Sequence, residues 1–393
     1  MDPLIVFITI IVAAVVLFLP GGIAAAILGF RGVGLVGVAS SLSLAGIALF
    51  SLIGIVVPVP WTGLTWAISA FLVVAIAVVI RRWTRKRFEW ERPSTTPRWM
   101  GLVPFVAIAM AAVAIGIRVF PILADEGISQ TFDNIYHLNG VRYVLDTEII
   151  APTRQIIPGF YPSLWHALTA TIAMLSGSSI PLAVNVTSIT IAMLVWPTSV
   201  VFLTRQIVGP NVVASLTSGA LAAGIAGFPM LMLDYGVLYP NLLSIALLPA
   251  VLAVLLQVAG VGDGDRAPLP IRWTLVLVSV TVLALAHPST LMAFFAIGLW
   301  PAAVAGSRWL RQARKGPRAA LVWGLSGWII GVGSVIVLLL VARPTRGQAF
   351  WMPSATILDA ASQVLWNSVA WKPASPTIMI TMLLGVLTIL VLR

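Results

Sequence analysis

The chain has 393 residues, of which 60% are hydrophobic and 9% are charged, and its mean hydropathy is +1.05. This composition excludes a water-soluble globular domain, and the absence of cysteine excludes disulfides, thiolate catalysis and cysteine metal sites. The net charge of +11 is concentrated in loops, chiefly residues 81–98 and 307–318, which is typical of cytoplasmic loops and not of a nucleic-acid-binding face.

Apolar windows follow one another along the chain, and continuous runs of this kind predict membrane-spanning helices. The sequence therefore predicts an all-α polytopic membrane protein with about 11–12 transmembrane helices. The windows cover residues 4–28, 34–57, 62–80, 100–121, 160–177, 181–203, 211–230, 238–259, 272–287, 289–306, 320–342 and 375–392.

The charge pattern divides the chain near residue 99. Residues 1–99 are predicted to form a three-helix extension that ends in a basic cytoplasmic loop. Residues 100–393 are predicted to form the transmembrane core, with external loops at 122–157 and 343–374. With the basic loop in the cytoplasm, the N-terminus and the 122–157 loop lie outside. An excess of Arg over Lys is typical of high-GC bacteria, so we expect a multi-pass protein of a bacterial plasma membrane, in contact with its lipids.

The number of windows conflicts with the charge pattern in the second half. Six windows separate the 122–157 loop from the basic 307–318 loop, and an even number would place both loops outside. One window is therefore not a full span. Window 160–177 is short and begins with the polar stretch YPSLWH, while His287-Pro288-Ser289 interrupts residues 272–306. Either segment can be the one that falls short. If 160–177 only dips into the membrane, the later basic loops all lie inside.

The segment from Phe120 to His166 is unusually rich in ionisable residues. It contains five of the twelve acidic residues and two of the three histidines. They are Asp125, Glu126, Asp133, Asp146, Glu148, His137 and His166. Residues 131–146 have the pattern of an amphipathic helix along the outer interface. Its apolar side is predicted to carry Phe132, Ile135, Tyr136, Leu138, Tyr143 and Val144, and its polar side Asp133, Asn134, His137 and Arg142.

Asp133 and His137 are four residues apart and therefore share a face of this helix. They can act as a catalytic base with its orienting partner. They can equally be two ligands of a divalent cation, Mg²⁺ or Mn²⁺, completed by Asp125 or Glu126. The alternative is a solvated interfacial helix whose charges only face water.

Other polar residues are candidates for substrate binding. On the outer face, four arginines suit bidentate contact with phosphate, namely Arg142, Arg154, Arg343 and Arg346. Asp234 lies between two apolar windows and His287 lies in or near the membrane, where ionisable groups are functional candidates. His166, next to Trp165, is interpreted as a packing residue rather than a ligand.

The order of features in this region resembles the GT-C superfamily of integral membrane glycosyltransferases, which use polyprenyl-phosphate-linked sugars. An external loop with Asp125 and Glu126 precedes an amphipathic helix with Asp133, and the proline- and aromatic-rich stretch YPSLWHAL follows. The resemblance covers roughly residues 100–306 and implies that Asp133 occupies the catalytic acid position. It differs in the three preceding spans and in the lack of an Asp-x-Asp pair.

The resemblance implies transfer of a sugar from a polyprenyl phosphate to an envelope glycan, lipid or protein on the outer face. Two other functions stay open. A transporter or flippase of lipids or glycans would be favoured by internal symmetry, which the sequence lacks. A non-catalytic scaffold for envelope assembly would need none of the acidic residues.

Overall fold

The computed structural model describes residues 2–92, 97–121, 127–157, 159–225, 227–234 and 237–316, parts of 318–336, and residues 355–366, 368 and 376–391. In these ranges every regular element is a helix, apart from one isolated bridge between Glu91 and Arg266. The all-α prediction is confirmed.

The helices of the described residues are numbered in chain order. They are α1 (Pro3–Leu28), α2 (Gly32–Val56), α3 (Gly63–Thr84), α4 (Val103–Val119, after a 3-10 turn at Arg98–Gly101), α5 (Phe132–Thr147), α6 (Leu164–Ser176), α7 (Ile180–Val208, with a π-turn at Ile191–Val195), α8 (Val212–Gly224), α9 (Met230–Asp234), α10 (Tyr239–Ala259), α11 (Leu269–Ala286), α12 (Pro288–Ala313), α13 (Ile357–Leu365) and α14 (Pro376–Val391). Eight of them are long and apolar enough to cross a membrane: α1, α2, α3, α4 with its preceding turn, α7, α10, α11 and α12. The protein is therefore a multi-pass membrane protein.

The first two helices form a close antiparallel pair inside the bundle. A Cβ on Gly21 of α1 would lie 1.9 Å from the carbonyl oxygen of Ala39 on α2, so only glycine permits this approach. The Gly21 amide donates to Ser43 Oγ at 2.9 Å. Both helices also contact α7, and α2 packs against α11, so they are continuous with the rest of the bundle.

The basic loops meet at one end of the bundle, which we call the basic end. The contacts that join them are Arg92 with Gly29, Glu91 with Arg266, Gly264 with Gln206, and Arg308 with Gly260. These loops were all predicted to share one side of the membrane, and the contacts confirm that they lie together.

Helix α6, within window 160–177, has thirteen residues and is not among the eight helices that are long enough to cross a membrane. Its first turn lies beside Ile150, whose carbonyl accepts a hydrogen bond from Ser163 Oγ at 2.7 Å. Its last turn lies beside the start of α3, where Leu175 is 3.6 Å from a Cβ placed on Gly63. Both ends therefore lie opposite the basic end, and thirteen residues cover only about 20 Å of a hydrocarbon core of about 30 Å.

One predicted window has clearly different boundaries in the structure. Window 211–230 contains the shorter helix α8, because glycine and proline between Gly224 and Pro229 are poor helix formers. Residues 272–306 are two separate long helices, α11 and α12, joined at His287. Most of window 320–342 lies outside the described residues.

Candidate functional site

Helix α5 confirms the helix predicted for residues 131–146, and part of its predicted polar side is buried in the protein. Phe132 and Ile135 are 88% and 65% exposed, whereas the polar Asn134 and His137 are only 2% and 5% exposed. The buried face of α5 packs on α6, and Gly140 lets the two helices come close. Polar side chains therefore face the protein interior, and two apolar ones face outward.

His137 is paired with His166 rather than with Asp133. The Nδ1 atom of His137 lies 3.1 Å from Nε2 of His166, which is completely buried in the first turn of α6. A Cβ on Gly140 would lie 2.5 Å from Cδ2 of His166, so the imidazole fills the space left by this glycine. Asp133, one turn before His137, is half-buried and makes no contact with it that would orient the ring.

Aromatic rings surround the histidine pair. Tyr136 and Tyr161 pack edge to face with ring centroids 4.9 Å apart, and Trp165 stacks on Tyr239 at 4.8 Å. The ring of His137 lies 5.3 Å from that of Tyr239, at the start of α10. The cluster therefore joins α5, α6 and α10 through contacts between aromatic rings.

Burial in this cluster changes the acidity of its members. Burial, together with a smaller effect of the charge of His287, lowers the pKa of His137 from 6.5 to about 4. Burial also raises the pKa of Tyr136 to about 12. At neutral pH His137 is therefore an uncharged imidazole beside protonated phenols.

His287 lies near His137, so all three histidines of the chain gather at one end of the bundle, which we call the histidine end. His287 caps α12, because its Nδ1 accepts from the amide of Ser289 at 3.3 Å and lies 2.7 Å from Ser289 Oγ. Asn241 Oδ1 on α10 accepts from the hydroxyl of Thr290 at 3.3 Å and lies 3.4 Å from Ser289 Oγ.

Asp133 lies at the edge of the cluster. Burial, the neighbouring Tyr136 and the charge of Asp133 all raise the pKa of Tyr161, so the carboxylate is close to that phenol. Within the described residues Asp133 forms no ion pair, whereas Asp146 on the same helix pairs with Arg142 at 3.7 Å on the exposed surface. Asp133 is thus a carboxylate without a neutralising partner in the described part of the chain.

A family model matches residues 14–393, which is nearly the whole chain. The chain belongs to DUF6541, a family of unknown function. No curated protein and no solved structure matches it.

Other predicted site residues of this DUF6541 chain fall outside the cluster or outside the described residues. Arg142 and Arg154 are exposed at the histidine end. Asp125, Glu126, Arg343, Arg346 and the side chain of Asp234 lie outside the described residues. The loop that follows Glu126 is anchored, since the carbonyl of Gly127 accepts from Asn185 Nδ2 on α7 at 2.9 Å.

The predicted metal site of the DUF6541 chain stays a prediction. Among the described residues no group of three or more histidine, aspartate or glutamate side chains is arranged to hold a metal ion. Asp133 and His137, the two proposed ligands, differ in burial, and His137 directs one ring nitrogen to His166.

Sequence reasoning missed two residues of this cluster. His166 was interpreted as packing, although it is one of only three histidines and lies in the segment with His137. Asn241 attracted no notice, because one amide near a helix start has no distinctive pattern. Its importance comes from its contacts across α10 and α12, which only the fold reveals.

Proposed function

We propose that this protein is a membrane glycosyltransferase that moves a sugar from a polyprenyl-phosphate donor to a cell-envelope acceptor on the outer face of a bacterial plasma membrane. The observation that carries the proposal is the half-buried carboxylate of Asp133 on helix α5, which has no ion-pair partner among the described residues and lies beside the histidine and aromatic cluster. The resemblance of residues 100–306 to GT-C enzymes supports the same assignment.

The proposed reaction needs one base and a stabilised leaving group. The acceptor's hydroxyl oxygen bonds to the anomeric carbon of the sugar, and Asp133 takes the proton of that hydroxyl. The bond between that carbon and the phosphate oxygen breaks, and the polyprenyl phosphate leaves with the electron pair. The exposed Arg142 and Arg154 lie at the same end of the bundle, where they can attract the anionic donor.

The position of the cluster suits a lipid-borne donor. Phe132 and Ile135 of α5 point outward as apolar side chains, while Asp133 between them lies beside Tyr161. A polyprenyl chain can therefore remain in lipid while its head group reaches the carboxylate. A soluble donor would not require an apolar surface at this point.

The test compares two isosteric changes on the same helix. Asp133→Asn removes the proposed base and is expected to lower transfer at least about 100-fold, within the range general base catalysis contributes. Asp146→Asn removes an exposed, ion-paired carboxylate and is expected to leave transfer within about twofold. The assay measures sugar transfer from polyprenyl-phosphate-sugar to envelope acceptors by purified protein in proteoliposomes.

Full activity of the Asp133→Asn variant, with the protein folded in the membrane, would contradict the proposal. Movement of the sugar-lipid across the bilayer without a covalent product would instead support a flippase. If neutralising Asp133 and Asp146 together leaves envelope assembly unchanged in cells, a scaffold is favoured.

A further inference from the structure

The histidine pair fixes the proton positions on His137. Nδ1 of His166 is buried without a hydrogen-bond partner. A buried orphan N–H is rarer and costs more than a buried orphan acceptor, so the proton of His166 lies on Nε2 and is donated to Nδ1 of His137. Neutral His137 then carries its own proton on Nε2. That nitrogen has no hydrogen-bond partner in the described residues and is not sealed from solvent.

His287 has the same tautomer. Its Nδ1 accepts the amide proton of Ser289 at the start of α12, and the Ser289 hydroxyl, 2.7 Å away, donates to the same nitrogen, so the proton of His287 is on Nε2. No hydrogen bond among the described residues engages that nitrogen. His287 therefore presents a fixed N–H donor, as His137 does.

Asn241 supplies a third donor. Its Oδ1 accepts from the hydroxyl of Thr290 at 3.3 Å, with Ser289 Oγ and Ser244 Oγ each 3.4 Å away, and this orients the amide. Its Nδ2 is left without a partner in the described part of the chain and is not buried. Two contacts connect the three side chains: Ser289 bridges His287 and Asn241, and Tyr239, in the same turn as Asn241, packs on His137.

Backbone N–H groups at helix N-termini lie at the same end of the bundle. Helices α6, α10 and α12 all begin at the histidine end, at Leu164, Tyr239 and Pro288. Helix N-termini carry partial positive charge and unsatisfied amide protons, which favour anions. Every acceptor atom of the three side chains is occupied internally, so what remains exposed is N–H.

We propose that His137 Nε2, His287 Nε2 and Asn241 Nδ2 form a binding site for a phosphate oxyanion, built from neutral donors. This inference goes beyond the proposed function, because anion binding requires no sugar transfer. It assigns His137 the role of a hydrogen-bond donor instead of a base or a metal ligand. In the proposed reaction this site would hold the leaving phosphate, with Asp133 on the acceptor side of the sugar.

The test measures binding of a polyprenyl monophosphate to the full chain in lipid nanodiscs, with the matching polyprenyl alcohol as the reference ligand. We expect the phosphate to bind at least about tenfold more tightly than the alcohol, since hydrogen bonds to a charged group are strong. Displacement by inorganic phosphate would show that phosphate from either source is bound. Lack of displacement would assign the site to a lipid head group, and both results support the inference.

Two isosteric replacements of His287 make the test specific. The side-chain amide of Asn lies near the position of Nδ1, so His287→Asn keeps the cap of α12 but loses the Nε2 donor. We expect the preference for polyprenyl phosphate over polyprenyl alcohol to fall about tenfold. Gln places its amide near Nε2, so His287→Gln is expected to stay within about threefold. Asn241→Asp replaces the donor with a carboxylate oxygen and is expected to abolish the preference. Asp146→Asn, on the exposed surface, is the control and is expected to change nothing.

Equal affinity for phosphate and alcohol, or an unchanged preference in folded His287→Asn and Asn241→Asp variants, would overturn the inference. Thermal unfolding of each variant shows whether it is folded. Phosphate binding without sugar transfer would overturn the proposed function and support this site. Sugar transfer by a protein that does not prefer the phosphate over the alcohol would support the proposed function and overturn this site.

Discussion

At the scale of single residues, Gly140 decides how closely α5 approaches α6. A Cβ at this position would lie 2.5 Å from Cδ2 and 2.8 Å from Nε2 of His166. His166 is fully buried and held by His137 and Trp165, so it has little room to move. Alanine is the better helix former by about 1 kcal/mol, but overpacking costs about 1–3 kcal/mol and acts against it.

We therefore expect Gly140→Ala to lower the Tm of the purified protein and to disturb the histidine pair. The matched control is Asn139→Ala, because Asn139 is the exposed neighbour on the same helix and its side chain bonds only to Ile135. Thermal unfolding in detergent measures both. A Tm for Gly140→Ala at or above that of Asn139→Ala would show that α5 can move away from α6 without loss of stability.

The second residue-scale prediction concerns acid. The folded protein holds the pKa of His137 near 4, because burial and the charge of His287 disfavour the imidazolium, while the unfolded chain has the ordinary value of 6.5. The unfolded state thus takes up the proton first as the pH falls. The stability that neutral His137 contributes is complete above about pH 6.5 and is lost progressively down to about pH 4.

We expect the Tm to decline over this pH range, and to decline less steeply in His137→Gln, which cannot titrate at that position. Tm measured at half-unit pH steps provides the comparison. Parallel curves for the two proteins would mean that the folded state protonates His137 without penalty.

At the scale of elements, the sequence predicts where helices form better than it predicts which neighbouring elements they pack against. The period of residues 131–146 predicted α5 correctly, because helical propensity and apolar spacing are local properties. The pattern does not show which residues of α5 are buried in the protein, because Asn134 and His137 are polar and are still buried. They are buried because α6 offers His166, and Ser129 offers a carbonyl to Asn134 at 2.8 Å. No local pattern contains such a tertiary contact.

A second element-scale feature is the attachment of the 85–92 loop to α11. Glu91 accepts from Arg272 at 2.8 Å and from Arg266 at 3.2 Å, and hydrogen bonding to Arg272 lowers the pKa of Glu91. Arg272 is 7% exposed and also donates to the carbonyls of Ala267 and Gln257. The carboxylate of Glu91 thus accepts one of the hydrogen bonds that the buried guanidinium of Arg272 donates.

We expect Glu91→Gln to destabilise the protein by about 1 kcal/mol, between the value of an exposed ion pair and that of a hydrogen bond to a charged group. The control is Glu89→Gln, since Glu89 is exposed two residues away and forms no ion pair within the described residues. Chemical or thermal unfolding measures both. An equal response of the two variants would mean that the carbonyls alone satisfy Arg272.

At the scale of the whole molecule, two ends of different chemistry organise the bundle. Short-range charge counting predicted the grouping of loops at the basic end, because positive loops avoid crossing the membrane. The same counting required one window to fall short, and two windows contain helices of only thirteen residues, α6 and α8. The histidine end was only partly predictable, since His166, Asn241 and His287 come from distant parts of the chain and meet only after α6, α10 and α12 have packed.

The orientation of the two ends can be tested directly, because the chain has no cysteine of its own and any label reports an introduced one. Thr153 and Ser179 are exposed on either side of α6, and Arg85 and Lys315 are exposed at the basic end. We expect Thr153→Cys and Ser179→Cys to react with a membrane-impermeant maleimide in intact cells, because α6 starts and ends at the histidine end. Arg85→Cys and Lys315→Cys are expected to react only after permeabilisation, since the positive-inside rule places basic loops in the cytoplasm. Labelling of Thr153→Cys with protection of Ser179→Cys would mean that α6 crosses the membrane, and every later helix would then run in the opposite direction.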